Sequence, residues 1–302
     1  MRFLWKDWNH IMSNSFNSFA FGLGPFLIMA VFGLVTMISL CYFCIVLDYW
    51  FPLGVYEGKE PAMTSLLRSL HAIFAVYLIL NIMFHYSLAV ITDPGRTHEL
   101  LVSEALLGSN QPICTKCKLQ KPHRTHHCSV CGRCIMRFDH HCVWIHNCVG
   151  FFNHRYFYLF LVFLTIGATY FLLMAAMPFY HLFINFTDKD QRSLLQACFA
   201  FAVILVATLL PLVGGLMVWH SWLIASGQTS LEHLINQDLK RHSMLTGTPF
   251  INEFDLGTLR NIQTFFDIPH GSASSHGWLA VLLPTIHASQ GDGMHYETLR
   301  TL

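Results

Sequence analysis

The chain has 302 residues, a formal net charge of +1, 54% apolar residues and only 12% charged ones. A soluble domain is about a quarter charged, so an ordinary cytosolic enzyme is excluded. A disordered chain is excluded too, because it needs low hydrophobicity and high charge. Ten cysteines and nineteen histidines are both high for this length, and they lie largely apart from the apolar excess.

Taken in order, residues 1–20 form an N-terminal segment with Trp5, Lys6 and Trp8 ahead of the first apolar run. Crossing the hydrocarbon core needs about 20 apolar residues. Four segments qualify without a single Asp, Glu, Lys or Arg: roughly Phe21 to Leu47, Ser69 to Thr92, Tyr156 to Phe183 and Leu194 to Ala225. The first is too long for the core of a cleavable signal peptide and is expected to act as a signal anchor, with the two tryptophans at the interface. Lone polar groups inside the spans, His71, Asn81, His85, His181 and His220, either line a pathway or sit near helix ends and bond neighbouring helices. The second reading is preferred.

Orientation follows from the connections. The segment Asp93–Arg155 carries eight Lys and Arg: Arg96, Lys116, Lys118, Lys121, Arg124, Arg133, Arg137 and Arg155. Positive connections stay cytosolic, and parity then puts both termini in the cytosol. The expected organisation is a cytosolic N-terminus (1–20), two spans with a short lumenal loop (21–92), a cytosolic cysteine-rich domain (93–155), two further spans (156–225) and a cytosolic tail (226–302). The fold class is an all-α polytopic membrane protein with a polar domain between its second and third helices. Asn185-Phe186-Thr187, between spans three and four, is the chain's only glycosylation sequon and is expected to lie too close to the bilayer for efficient use.

Cys41, Cys44 and Cys198 lie within the spans and read as small apolar packing groups. The other seven cysteines fall between Cys114 and Cys148, in the stretch CTKCKLQKPHRTHHCSVCGRCIMRFDHHCVWIHNC. A cytosolic location disfavours disulfides. The pairs Cys114/Cys117, Cys128/Cys131 and Cys131/Cys134 have instead the two-residue gap of zinc ligands, and so polar a segment needs metal to hold a shape. Two zinc ions need eight ligands. Seven cysteines with one histidine satisfy that number, and so do six with two. The second option leaves one thiol free. Cys142 stands outside every CxxC pair and follows Asp139, His140 and His141. A carboxylate, an imidazole and a thiol in four residues are the parts of an activated nucleophile. Spacing alone leaves a catalytic and a structural Cys142 both open.

The segment from Cys114 to Asn153 resembles the cysteine-rich domain of the DHHC protein S-acyltransferases, or palmitoyltransferases. Asp139-His140-His141-Cys142 is the signature tetrapeptide of that family, and the surrounding cysteines, histidines and Asn153 fall in its order. Thr229-Ser230-Leu231-Glu232 resembles its TTxE motif, Phe254 to Phe266 around Asn261 its aromatic tail motif, and Asp93-Pro94-Gly95 its DPG element. One position departs: Val143 stands where the family has Pro after the active cysteine. The tail, including GDGMHYE, looks most like an endoplasmic-reticulum animal branch.

The resemblance implies two interleaved zinc sites, Cys114, Cys117, His127 and Cys134 in one, Cys128, Cys131, His141 and Cys148 in the other. It leaves Cys142 as nucleophile, His140 as base and Asp139 as the group that orients it. His123, His126, His146 and His154 are left without a ligand role, in solvated or supporting positions. It implies transfer of a long acyl group from palmitoyl-CoA to cysteines of protein substrates through an acyl-Cys142 intermediate, with the bilayer as partner and no nucleic acid. Lys121, Arg124 and His126 match the family's basic positions for the CoA phosphates. Phe157, Phe160, Leu164 and Gly167 recur at helical spacing and either wall the acyl chain or make ordinary helix packing, and Trp144 is placed to close its mouth. The expected location is the endoplasmic reticulum or Golgi. A non-catalytic membrane scaffold with a zinc-built binding module is the main alternative. A RING-type ubiquitin ligase has a different ligand order, and a nucleic-acid-binding finger is disfavoured by the flanking spans and modest basic charge.

Overall fold

The structure, a computed structural model, describes residues 2–52, 62–97, 111–184, 193–268, 279, 281–286, 289 and 291–299, with side chains from residue 22 onward. The sequon at Asn185 and the side chains of Trp5 and Trp8 lie outside the described residues.

Helix α1 (Arg2–Cys41) continues through a π-helical turn (Tyr42–Val46) into the short α2 (Leu47–Trp50). Helix α3 (Ala62–Ile91) follows. Four short strands come next: β1 (His126–Cys128), β2 (Arg133–Ile135), β3 (His140–Cys142) and β4 (Asn147–Val149). The main helices that follow are α4 (His154–Phe179), continued by a π-helical turn (Tyr180–Ile184), α5 (Leu194–Ala225), α6 (Ser230–Thr246) and α7 (Thr258–Phe265). Stretches within these elements long and apolar enough to cross a membrane are Gly22–Trp50, Ala62–Ile91, His154–Ile184 and Leu194–Ala225. The chain is a multi-pass membrane protein with a cysteine-rich cluster between its second and third spans.

The boundaries differ from the charge-free windows for identifiable reasons. Residues 2–20 are helical and continuous with the first span, because α1 runs unbroken from Arg2. Helix α3 begins before Ser69 because Arg68 is not left bare. Its guanidinium donates to Asp48 Oδ1 at 2.7 Å and to the Phe51 carbonyl. Helix α4 begins at His154, two residues before Tyr156, because Asn153 holds the preceding turn through an Oδ1 bond from the Gly150 N–H at 2.9 Å.

Two compact units are distinguished. One comprises Met29–His85 and Leu159–Val218. Its core gathers Cys41, Tyr42, Val46, Leu47, Ala75, Phe171, Ala175, Phe199, Ala202 and Val206, so every span contributes. Some polar groups there are paired between helices: the Tyr42 and Tyr170 hydroxyls lie 2.7 Å apart, and His71 Nδ1 lies 2.7 Å from the same Tyr170 hydroxyl. Asn81 donates back to Tyr77 O within its own helix. His71 therefore bonds a neighbouring helix as expected, whereas Asn81 bonds only its own. An apolar cavity of about 100 Å³ lies in this unit, lined among others by Ile38, Leu78, Ile82, Leu164, Gly167 and Tyr170.

The other unit comprises Met1–Ile28, Tyr86–Tyr158 and Trp219–Leu302. It contains two antiparallel ladders, β1 with β2 and β3 with β4. Ladders of three residues cannot stand alone in water, and metal-binding side chains and asparagine anchors supplement them. Asn147 Nδ2 donates to Val90 O and Thr92 O at 3.1 and 2.9 Å, and Asn153 Nδ2 to Ala89 O and Cys148 O at 3.2 and 2.8 Å. Both tie the module to the end of α3. Asp93-Pro94-Gly95 forms a turn in which Asp93 Oδ1 accepts the N–H of Gly95 and Arg96. A side chain at Gly150 would strike the Pro94 carbonyl, its Cβ falling 2.4 Å away, so that glycine is required by close approach.

Candidate active site

The metal-binding groups follow from strand register. His127 lies opposite Cys134 and His141 opposite Cys148, so each ladder brings an imidazole and a thiol to one face. Neighbouring residues in a strand point to opposite faces. His127 and Cys128 therefore serve different clusters, which is why the ligand sets interleave. Each CxxC turn aims a backbone N–H at the first sulfur, Cys117 N to Cys114 Sγ and Cys131 N to Cys128 Sγ, both at 3.4 Å.

The first cluster is Cys114, Cys117, His127 and Cys134, and the second is Cys128, Cys131, His141 and Cys148. Both are the sets that the resemblance implied. Cys117 Sγ and Cys134 Sγ lie 3.2 and 3.9 Å from His127 Nδ1, while Cys131 Sγ and Cys148 Sγ lie 3.4 and 3.5 Å from His141 Nδ1. A tetrahedral zinc with Zn–S of about 2.3 Å and Zn–N of about 2.0 Å spaces its ligands by roughly 3.5 Å. Both clusters fit such an ion.

The same alternation separates Cys142 from both clusters. In β3, His141 faces its metal cluster, and His140 and Cys142 share the other face. Cys142 is 9% exposed. Cys142 and His140 are close enough for each to shift the other's proton affinity. His140 Nδ1 lies 2.6 Å from Asp139 Oδ2. Asp139 is buried, and its other oxygen accepts the Ser230 N–H at 2.8 Å. Burial alone would push the Cys142 thiol up; the bond and charge of His140, with the N–H groups of Ile145 and Trp144, more than offset it and hold the thiol below its ordinary value. Burial also works against a charged His140, yet Asp139 and Cys142 raise it to about 10. For Asp139 burial opposes ionisation and the His140 bond dominates, so the carboxyl stays well below the usual range. The arrangement favours ionisation of the thiol beside a charged imidazole that a carboxylate orients. Val143 opens a 3₁₀ turn (Val143–Ile145) that ends on left-handed His146 at φ 48°, and Tyr86 donates to the Trp144 carbonyl at 2.8 Å. The turn after Cys142 is thus formed without proline.

Post-span residues complete the site. Thr229 caps α6 in a reciprocal capping box with Glu232, and its hydroxyl donates to Phe138 O at 3.1 Å. The Glu232 carboxylate receives Arg124 Nε and Nη2, both at 2.6 Å, and Arg124 Nη2 also donates to Gly227 O. This pair is buried, with 7% of the arginine side chain exposed. Asn261 Nδ2 donates to Ala225 O at 2.9 Å, closing the end of α5. The aromatic tail packs Phe265 and Phe266 on Tyr158.

Several expected contacts differ. Arg124 is paired with Glu232 inside the protein, so its charge is not open to a phosphate in the way that the resemblance implied. His123, Arg124 and His126 do line a cavity of about 690 Å³ beside α6; Lys121 is not among its lining residues. Trp144 is 56% exposed and does not cover Cys142. Leu164 and Gly167 line the apolar cavity. Phe157 instead stacks edge-on to His140 and His220, with centroids 5.3 Å from each.

Two histidines were missed as site residues. His154 and His220 are each 1% exposed, and with Asp139 they form a third cluster. The imidazole centroids of His140 and His220 lie 5.9 Å apart. The signal for His154 was its place next to Asn153. His220 gave none beyond being a polar group in an apolar run.

A family model described as DHHC palmitoyltransferase matches residues 108–237. The chain is similar to palmitoyltransferase ZDHHC16 of Mus musculus, 31% identical over 281 residues that cover 90% of this chain and 73% of that protein. It is similar to palmitoyltransferase ZDHHC16B of Danio rerio, 32% identical over 264 residues covering 75% and 67%. It is also similar to palmitoyltransferase ZDHHC16 of Homo sapiens, 30% identical over 297 residues covering 90% and 74%.

Proposed function

Because the chain belongs to the DHHC palmitoyltransferase family, and is a protein S-acyltransferase, we propose that Cys142 is its nucleophile, His140 the base and Asp139 the orienting group of a two-step exchange. The observation that carries this is the placement of His140 and Cys142 on the strand face opposite His141, with His140 Nδ1 2.6 Å from Asp139 Oδ2.

In the first step His140 holds the proton of Cys142 while Cys142 Sγ attacks the thioester carbonyl of a long-chain acyl-CoA. The acyl–Sγ bond forms, the bond to the CoA sulfur breaks, and that sulfur leaves with the proton. In the second step a substrate cysteine gives its proton to His140 and attacks the acyl carbon. The Cys142 thiolate departs and the ion pair is restored. One thioester is exchanged for another, so no nucleotide is consumed, and the sequence is ping-pong. Two zinc ions, when bound, cross-link the cysteine-rich module. The chain's own donors, the Ser230 N–H and the Ile145 and Trp144 amides, hold Asp139 and the Cys142 thiolate.

The acyl chain belongs in the membrane. Burying a methylene is worth about 0.8 kcal/mol, so a sixteen-carbon chain carries on the order of 10 kcal/mol, and withdrawing it into water at each turnover would be prohibitive. We assign it to the cavity lined by Leu164 and Gly167. A Cβ at Gly167 would lie 3.0 Å from Ile82 Cδ1, so Gly167→Tyr is expected to shift preference toward shorter chains. Auto-acylation across a series of saturated acyl-CoAs measures it, and an unchanged profile removes Gly167 from the wall. Lys121, His126 and His123 remain as the groups for the CoA phosphates, and Arg124 serves them by position more than by net charge. The working topology is 1–20, 21–92, 93–155, 156–225 and 226–302, with both termini and the zinc module cytosolic, supported by the eight basic residues between Asp93 and Arg155. The wording of the tail points to the endoplasmic reticulum or Golgi.

The test is incubation of the purified protein with labelled palmitoyl-CoA. Hydroxylamine-sensitive label on the wild type and none on Cys142→Ser is the expected result. Equal label on both, or none on the wild type, overturns the assignment.

A further inference from the structure

The stretch Gly291–Leu299 gave no motif of known use, yet it is built into the unit that carries Cys142. Asp292 Oδ1 accepts the N–H groups of Met294 and His295 at 2.8 and 2.9 Å, and Oδ2 pairs with His295 Nδ1 at 2.6 Å. The turn so formed rests on the zinc module. Gly293 has φ +73°, and a Cβ there would lie 3.1 Å from the Phe151 ring and 3.2 Å from Met136 Sδ. A Cβ at Gly291 would lie 3.0 Å from the tip of Phe151. Both glycines are therefore places where backbone meets side chain directly.

That turn sets Tyr296, whose hydroxyl donates to Gly293 O at 2.7 Å. Its ring centroid lies 5.1 Å from Arg124 Cζ, while the Phe254 ring lies 4.4 Å from the same carbon. Tyr296 also meets Phe151 and Phe254 edge-on at 6.1 Å. Beyond it, Glu297 pairs with Arg260 at 3.1 Å and the Leu299 N–H donates to Glu253 O at 2.9 Å.

Arg124 stands at the centre of these contacts. Its backbone is in the left-handed region at φ 61°, uncommon for a residue with a side chain, and its guanidinium edge is engaged by Glu232. A buried ion pair is worth keeping only when its geometry is held, and an aromatic face on a desolvated guanidinium helps to hold it. Glu232 lies in the first turn of α6, and Ser230 in the same turn donates to Asp139. Contacts thus run without a gap from Tyr296 to Arg124, to Glu232, to the start of α6 and to Asp139.

We propose that Gly291–Leu299 is an intramolecular clamp and Tyr296 a positioning residue, which by seating on Arg124 keeps the first turn of α6 aligned on Asp139. The inference rests on the assignment of Asp139 as the orienting carboxylate. It accounts for a self-capped turn, two sterically required glycines and an aromatic seat within nine residues that no other part of the mechanism uses.

The experiment compares the full chain, Tyr296→Phe, Tyr296→Ala and a chain ending at Gln290, each assayed for the rate of acyl-Cys142 formation from labelled palmitoyl-CoA. Tyr296→Phe keeps the aromatic face and is expected to act like the wild type. Tyr296→Ala and the shortened chain are expected to lose about tenfold in rate, in keeping with removal of a desolvated cation–π contact. A synthetic peptide of the sequence GDGMHYETL, added in trans, is expected to restore the shortened chain in a saturable way, and the same peptide with Val for its second glycine is not. Wild-type rates in the shortened chain overturn the clamp. So does a loss that neither the Phe variant nor the peptide repairs. If the full chain itself takes no label on Cys142, it is the active-site assignment that falls.

Discussion

Replacing His140 with Ala is expected to abolish most transfer while leaving bound zinc at the wild-type level, whereas replacing His141 with Ala is expected to release zinc and loosen the whole cysteine-rich module. The two residues are adjacent, and a single rotation of the backbone between them separates catalysis from architecture. His140 faces Cys142 and Asp139, and a positioned base contributes about 10²–10⁴-fold. His141 faces Cys128, Cys131 and Cys148, and a module that takes its stability from metal unfolds when a ligand is lost. The measurement is paired: acyl-enzyme formation from labelled palmitoyl-CoA, and metal content by atomic emission with limited proteolysis. If both variants lose zinc, or both keep it, the division of β3 into two faces is wrong.

Glu232→Ala is expected to destabilise the Cys142-bearing unit by about 3–5 kcal/mol, the usual cost of stripping one partner from a buried ion pair. Arg124 would keep its charge in a side-chain environment only 7% exposed. The capping box with Thr229 would open at the same time, at about 1 kcal/mol. The effect should appear as a lowered melting temperature in detergent and as a lower rate of acyl-Cys142 formation, because Thr229 and Ser230 would lose their hold on Phe138 and Asp139. The double variant Arg124→Met with Glu232→Leu removes both charges and should recover much of the stability, as apolar replacements of buried pairs often do. A Glu232→Ala protein as stable as the wild type would show that the pair contributes nothing.

The spans and the metal-binding groups were legible in the sequence because both rest on local regularities. Charge-free runs identify apolar helices, and CxxC gaps identify thiols that meet across one turn. The resemblance then sorted eight ligands from one free thiol, and the register of His127 with Cys134 and of His141 with Cys148 supplies the physical reason for that sorting. What stayed hidden depends on partners far apart in the chain. Arg124 looked like a phosphate-binding residue because its partner, Glu232, lies 108 residues away. His220 looked like one more polar residue in an apolar helix, and only the fold sets it beside Asp139 and His154. Phe157 shares helical spacing with Gly167, yet it serves the imidazoles and not the cavity wall. Trp144 is close to Cys142 in sequence but turns outward. Gly291 and Gly293 carry their meaning in Phe151 and Met136, which no pattern in the tail could announce.

The adjacency of His127 and Cys128 in one strand has a consequence for metal supply. A chain that fills its first cluster fixes β1, and in doing so presents Cys128 to the second; a chain that fills the second fixes His127 for the first. Filling either cluster would therefore favour filling the other, because each ion would fix a strand that carries a ligand of its neighbour.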